Sequence, residues 1–436
     1  MKPSRSFLFF LALIIVVLLF ENKWRLNACF NTAIPVISDL PILTSIDSIP
    51  FFGRDTVADV ADSIVSEKIK IAVVFDTIAL PITLEYFFER LKTSNDSLVR
   101  IIYFGDSQIE GDRITHPLRN AFQLRFGGRG IGYMPAEMYF NTTEQLAIIT
   151  NDFNKDIVAY SSHFEQDDYG LYGRYFSPIK VNSKIRLNNR SKTHSFDNLK
   201  MCFSGKSKIS IETDEPQLIS KVLNCESAAI ELIHFDKTPN SLRFTFSESN
   251  NFKLYGFLLD PEAGVVVDHV PFRGNSNLML NRFEPENMIN MGKMLNPALL
   301  VLHFGLNVVP DIRPDYKSYQ KAIERDIHLL NKYIPHASIL LVGVSDMAHR
   351  VNGQLQSYPN IDKIVEAQRL AAFNTGVPFY NLCEQMGGEG AIIEWVDKGW
   401  AKPDYAHFTL EGTEIVGQWL ADYLLNQYDQ YLAEHD

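Results

Sequence analysis

Four side chains of this 436-residue chain carry the types that acyl chemistry uses: Ser107, Asn307, Asp404 and His407. Ser107 ends the run IIYFGDS, where an apolar, partly β-branched stretch stops at Gly-Asp-Ser before a segment with helical spacing (Ile109, Leu118, Phe122). A serine at such a strand end lies near the positive end of a helix dipole, where α/β folds place their ligands. Read alone, the tripeptide is equally an N-cap, since Asp and Ser both cap well. ALLVLHFGLN repeats the same grammar and ends in Gly305-Leu306-Asn307. KPDYAHF then sets Asp404 three residues before His407, so a single turn brings the carboxylate to the imidazole ring and fixes its tautomer. His303 belongs to an apolar strand, and His116, His234 and His269 lack an acid at useful spacing. Without a base to take its proton, a serine hydroxyl is a poor nucleophile.

Those side chains need a rigid support. Strand candidates at 264–268, 299–304, 338–344 and 378–382 alternate with helical patterns at 314–333, 360–374 and 411–427. The alternation predicts a parallel sheet covered on both faces, a doubly wound α/β/α sandwich. Ile323, Ile327 and Leu330 form one core stripe, and Ile415, Trp419 and Tyr423 another. From 141 to 262 the texture differs: KIRLN, KMCFS, KISIET, SLRFTFS and FKLYGFLLD alternate apolar with polar residues, between clusters of turn formers. This predicts an inserted β-sandwich of short strands. Tyr169, Tyr172, Tyr175 and Phe176 are its candidates for sugar stacking, with core packing the competing role.

The blocks GDS at 105–107, G-x-N at 305–307 and D-x-x-H at 404–407 resemble those of the SGNH, or GDSL-like, hydrolases. Gln108 stands where that family often has Leu, a departure expected to leave the chemistry untouched. The family's remaining block is a glycine after the second strand. Gly128, Gly130 and Gly132 are candidates, and Gly274, in the loop after GVVVDHVP, is preferred. The resemblance covers roughly residues 80–436 and implies Ser107 as nucleophile, His407 as base and Asp404 as its orienting acid. It also implies an oxyanion hole built from the amides of Ser107 and Gly274 and the side chain of Asn307. A scaffold with such an insert, jelly-roll-like, is similar to the peptidoglycan O-acetylesterases and to other esterases of acetylated glycans. The implied function is a serine esterase acting on an acetylated polysaccharide. Lipases, thioesterases and O-acetyltransferases on the same scaffold, or a glycan-binding protein with a silent site, are the alternatives.

Residues 1–24 place Lys2 and Arg5 before an unbroken apolar run, Phe7 to Phe20, with no small-x-small cleavage site after it. They are expected to be a membrane anchor or export signal, leading to a tether at 25–80 and an extracytoplasmic catalytic body at 81–140 and 263–436. Hydrophobic content of 46% and charged content of 21% describe a globular protein. A net charge of −11 with no basic run argues against nucleic acid as a partner. No C-x-x-C, H-E-x-x-H or clustered-carboxylate motif suggests a metal site, so neither metal nor cofactor is expected. Cys202 and Cys225 share the insert, as a disulfide pair or as free thiols, while Cys29 and Cys383 have no evident partner.

Overall fold

A computed structural model describes residues 84–435, apart from 138, 142–145, 159–167, 190–197, 215–217 and 236–238. The expected anchor and tether, and Cys29, lie outside the described residues.

IIYF and ALLVL are unbroken apolar runs because their strands are buried on both faces. They belong to a five-stranded parallel sheet of spatial order Gly264–Pro271, Leu98–Gly105, Leu299–His303, Ser338–Val342, Phe379–Tyr380. Ile102 and Phe104 face a core shared with helices Pro285–Leu295, Lys317–Tyr333 and Ile361–Thr375. Ile101 and Tyr103 face the other, shared with helices Glu85–Lys92, Thr115–Phe126 and Leu410–His435. From the strand Leu98–Gly105 the chain steps outward to the edge strand Gly264–Pro271, then crosses back to Leu299–His303 on the opposite side. That reversal is a topological switch point, which opens a crevice at the carboxyl ends of the two inner strands. On the C-terminal helix the fully buried stripe is Val416, Leu420 and Leu424, while Ile415, Trp419 and Tyr423 are only partly buried against it.

The second sheet is antiparallel and has nine strands. Its first strand, Gly132–Met134, pairs with Phe257–Leu259, so the sheet starts upstream of the expected boundary at 141. Its strands are also longer than expected: KMCFS and KISIET form one strand, Asn198–Thr213, and SLRFTFS and FKLYGFLLD form another, Ser241–Asp260. The Phe244 and Phe257 rings lie 5.0 Å apart although they stand thirteen positions apart on that strand. A straight strand would hold them about 40 Å apart, so the sheet folds over on itself around the core of Phe203, Phe246 and Leu254. Bulges make the bend: the register shifts between Ser247 and Lys253, with left-handed Glu248 and Asn251. Opposite them Gly205 has φ +78°, and a Cβ there would collide with the Asn251 carbonyl. What reads as a turn in the sequence is a fold within a continuous strand.

A buried ionic cluster joins the two sheets. Arg100, from the parallel strand Leu98–Gly105, donates to Asp268 and to Asp260, each at 2.6 Å, and all three are buried. Lys200 also reaches Asp260 (2.9 Å), and the Tyr172 hydroxyl donates to Asp268 (2.8 Å). Both sheets accordingly belong to one compact unit. Tyr169, Tyr172 and Phe176 are buried, and Tyr172 stacks on Tyr133 at 3.7 Å, so packing is their role. Tyr175 is half-buried under the Lys253 ammonium, 4.3 Å from its ring. Cys202 and Cys225 are free thiols: they point to different cores, Cys202 toward the parallel sheet and Cys225 into the folded sheet. Among the described residues, no helix is long and apolar enough to cross a membrane.

Candidate active site

At the carboxyl end of Leu98–Gly105, Asp106 organises the turn. Its carboxylate accepts from the amide of Gln108 (2.9 Å) and, across the crevice, from the amide of Leu306 (3.1 Å). Burial pushes this carboxyl up to about 6 against the pull of those donors. The contact fixes the Ser107 turn against the Gly305-Leu306-Asn307 turn, one on each side of the switch point. Ser107 opens a short 3₁₀ turn to Ile109, half-exposed in the crevice.

His407 arrives from the loop before the C-terminal helix. Its Nε2 lies 2.9 Å from Ser107 Oγ, and its Nδ1 lies 2.9 Å from Asp404 Oδ2. The other carboxylate oxygen, Oδ1, accepts from the amides of Ala406 (3.1 Å) and His407 (3.0 Å). Burial works to raise the Asp404 pKa, but the imidazole N–H and the two amides outweigh it and lower the carboxyl to about 2. Asp404 is therefore ionised at neutral pH, acceptor to a ring nitrogen that donates. That tautomer leaves Nε2 free to take the Ser107 proton. Tyr405, between the two, is left-handed (φ +55°), the conformation that turns the chain back so the pair can meet.

The loop after Gly264–Pro271 lies alongside, because the Phe272 amide donates to the Gly105 carbonyl at 2.7 Å. Two residues on, Gly274 has φ +81° and no atom within 4 Å of where a Cβ would stand. Backbone conformation, not crowding, calls for glycine there. Asn307 Nδ2 donates to the Asn275 carbonyl (2.9 Å), which fixes its side chain and leaves the amide's second hydrogen for a ligand. The structure thus brings Ser107, His407 and Asp404 into one hydrogen-bonded line, with Gly274 and Asn307 on adjoining loops. Gly128, Gly130 and Gly132 do not join them. The Val265 amide donates to the Gly127 carbonyl at the amino end of Gly264–Pro271, about 20 Å from that strand's carboxyl end. Nor do the buried His303, 2.9 Å from the Tyr103 hydroxyl, and His269, bound to the Ile109 carbonyl.

No family model matches the chain, and no curated protein does. Among solved structures the chain is similar to a peptidoglycan O-acetylesterase, with a TM-score of 0.63 and 17% identity over 80% of this chain and 96% of that one. The chain has the SGNH-type hydrolase fold. Looser likenesses, at TM-scores of 0.27, are to a family two carbohydrate esterase from Cellvibrio japonicus and to an acetyl xylan esterase. The first is 12% identical over 65% of this chain and 98% of that one, the second 16% identical over 36% and 81%.

On this SGNH-type fold one polar residue has a part that the sequence did not suggest. Gln108 is buried, its Oε1 accepts from the Phe408 amide (3.3 Å), and its Nε2 donates to the Ala406 carbonyl (3.1 Å) and to Ser345 Oγ (3.3 Å). It grips the backbone on either side of His407 while adjoining Ser107 in sequence. A polar residue where the family often has leucine was the available signal. Asp326, buried under the same crevice, accepts from Asn277 Nδ2 and from the amides of Met279 and Leu280, and so shapes the loop that follows Gly274. Among the described residues no group of side chains could hold a metal ion.

Proposed function

We propose that this chain is a serine esterase that removes O-acetyl groups from a polysaccharide, with peptidoglycan as its substrate. The observation that carries the reading is the unbroken line Ser107 Oγ, His407 Nε2, His407 Nδ1, Asp404 Oδ2, with both links at 2.9 Å, at the switch point of a parallel sheet. In this mechanism Ser107 Oγ attacks the acetyl carbonyl carbon while His407 Nε2 takes its proton. The carbonyl oxygen becomes an oxyanion facing the Ser107 and Gly274 amides and Asn307 Nδ2. His407 returns the proton to the departing sugar oxygen, which leaves as the alcohol. Water then attacks the acetyl-Ser107 ester by the same route, and acetate departs. The likeness to a peptidoglycan O-acetylesterase over most of both chains supports the finer substrate.

We infer further that the chain is exported and held at the membrane by its N-terminal segment, on the strength of Lys2 and Arg5 preceding the run Phe7 to Phe20. Acetate release measured on acetylated peptidoglycan, acetylated xylan and a series of aryl esters of rising acyl length tests the function. The expected result is release from peptidoglycan and from short aryl esters only. Preference for long acyl chains would replace the reading with a lipase.

A further inference from the structure

Three cations stand on the rim of the triad, each tied to one of its parts. Arg273 immediately precedes Gly274 and is mostly exposed, and its guanidinium lies 3.7 Å from the Glu110 carboxylate. Arg113 is half-buried and donates its Nε to the Glu110 carbonyl (2.7 Å), at the end of the turn that begins with Ser107. Lys402 is half-buried too, and its backbone amide donates to the His407 carbonyl (2.8 Å). Among the described residues neither Arg113 nor Lys402 has an ion-pair partner. The nearby acids are already engaged, Asp404 with His407 and Glu110 with Arg273.

Leaving two partly desolvated cations side by side without a counter-ion is costly. Burial depresses the pKa of both, and for Lys402 the neighbouring Arg113 adds to the shift. An anion placed between them would relieve both effects. The overall charge of −11 does not oppose this, because charges farther than about 10 Å are largely screened at 0.1 M salt.

Resting on the esterase reading above, we propose that Arg113, Arg273 and Lys402 bind an anionic group of the acetylated polymer, a carboxylate or a phosphate, beside the ester being cleaved. The selected substrate is then a charged glycan, and a neutral acetylated glycan is a poor one.

The test uses the full chain, with hydrolysis of 4-nitrophenyl acetate as the readout. Polygalacturonate, its fully methyl-esterified form and poly(glycerol phosphate) are added as competitors. With each rim contact modest on its own, the three together should make a charged polymer about tenfold more potent than the capped one. Raising salt from about 20 to about 200 mM should remove most of that difference. Comparing the two charged polymers tells carboxylate from phosphate. Arg113→Gln combined with Lys402→Gln should narrow the gap to about twofold, and the exposed Arg273→Gln should narrow it to about fivefold. Equal competition by charged and capped polymers at low salt, or a gap that survives in these variants, overturns the proposal. If the unaltered protein leaves the aryl ester intact, the esterase reading fails instead. Binding of fluorescently labelled polygalacturonate to the same protein still reads the rim in that case.

Discussion

Replacing Gln108 by leucine, the residue common at this place in the family, should impair the enzyme although no reacting atom is touched. The substitution leaves the Phe408 amide and the Ala406 carbonyl without their partner in a buried setting. Each stranded group costs about 1–3 kcal/mol, part of which the apolar leucine side chain returns by its own burial. A loss of roughly 2–4 kcal/mol in unfolding free energy is expected. The catalytic effect is separate. His407 sits between the two residues that Gln108 holds, and a displacement of its ring by about 1 Å relative to Ser107 costs about a hundredfold in rate. Turnover of 4-nitrophenyl acetate should therefore fall by about ten- to a hundredfold with little change in KM, since no substrate contact is removed. Gln108→Glu keeps the acceptor for Phe408 and loses the donor, so it should fall between. Urea unfolding and steady-state kinetics on the same samples separate the two effects. A leucine variant with unchanged kcat would refute the assignment of Gln108 as the residue that positions His407, whatever its stability.

Further outcomes follow from the electrostatics. Asp260→Ala removes one of the two carboxylates facing the buried Arg100 and strands one end of its guanidinium, and with Asp268 still paired to the other end this should cost about 3 kcal/mol, the lower end for a broken buried pair, in urea unfolding. For the same reason, excision of residues 141–262 takes Asp260 with it and should leave no soluble, active scaffold. Recovery of aryl acetate activity in that deletion would show that the sheets fold independently. Asp404 is held below its ordinary value, so its stabilising effect is present above pH 4 and is lost as the pH falls toward 2. The stability difference between the unaltered protein and Asp404→Asn should be widest above pH 4 and close toward pH 2. Its kcat at neutral pH should fall by about 10²–10⁴-fold, because asparagine presents the wrong hydrogen-bond partner to the imidazole.

The parallel sheet was legible because its two inner strands are buried on both faces and write the apolar runs IIYF and LLVL, which stop abruptly at Gly105 and at His303. Asp404 and His407 were legible because their contact is local, three residues apart. The antiparallel sheet was misread where local chemistry is ambiguous. Ser-Glu-Ser-Asn-Asn suits a hairpin turn, but here it forms bulges that bend one long strand, and only packing of Phe244 on Phe257 decides between the two. Arg100 with Asp260, and Gln108 with Ala406, pair across 160 and 298 residues, distances at which no sequence period operates. The C-terminal stripe was displaced by one residue: Ile415, Trp419 and Tyr423 share the spacing of Val416, Leu420 and Leu424, and spacing alone does not select between adjacent stripes.

The central claim is that Ser107 is the nucleophile activated by His407. Its most direct measurement is labelling with a fluorophosphonate followed by peptide mass analysis. The account predicts a single adduct on the peptide bearing Ser107, absent in Ser107→Ala and slowed by orders of magnitude in His407→Ala. An adduct on another serine, or undiminished labelling in either variant, would contradict it.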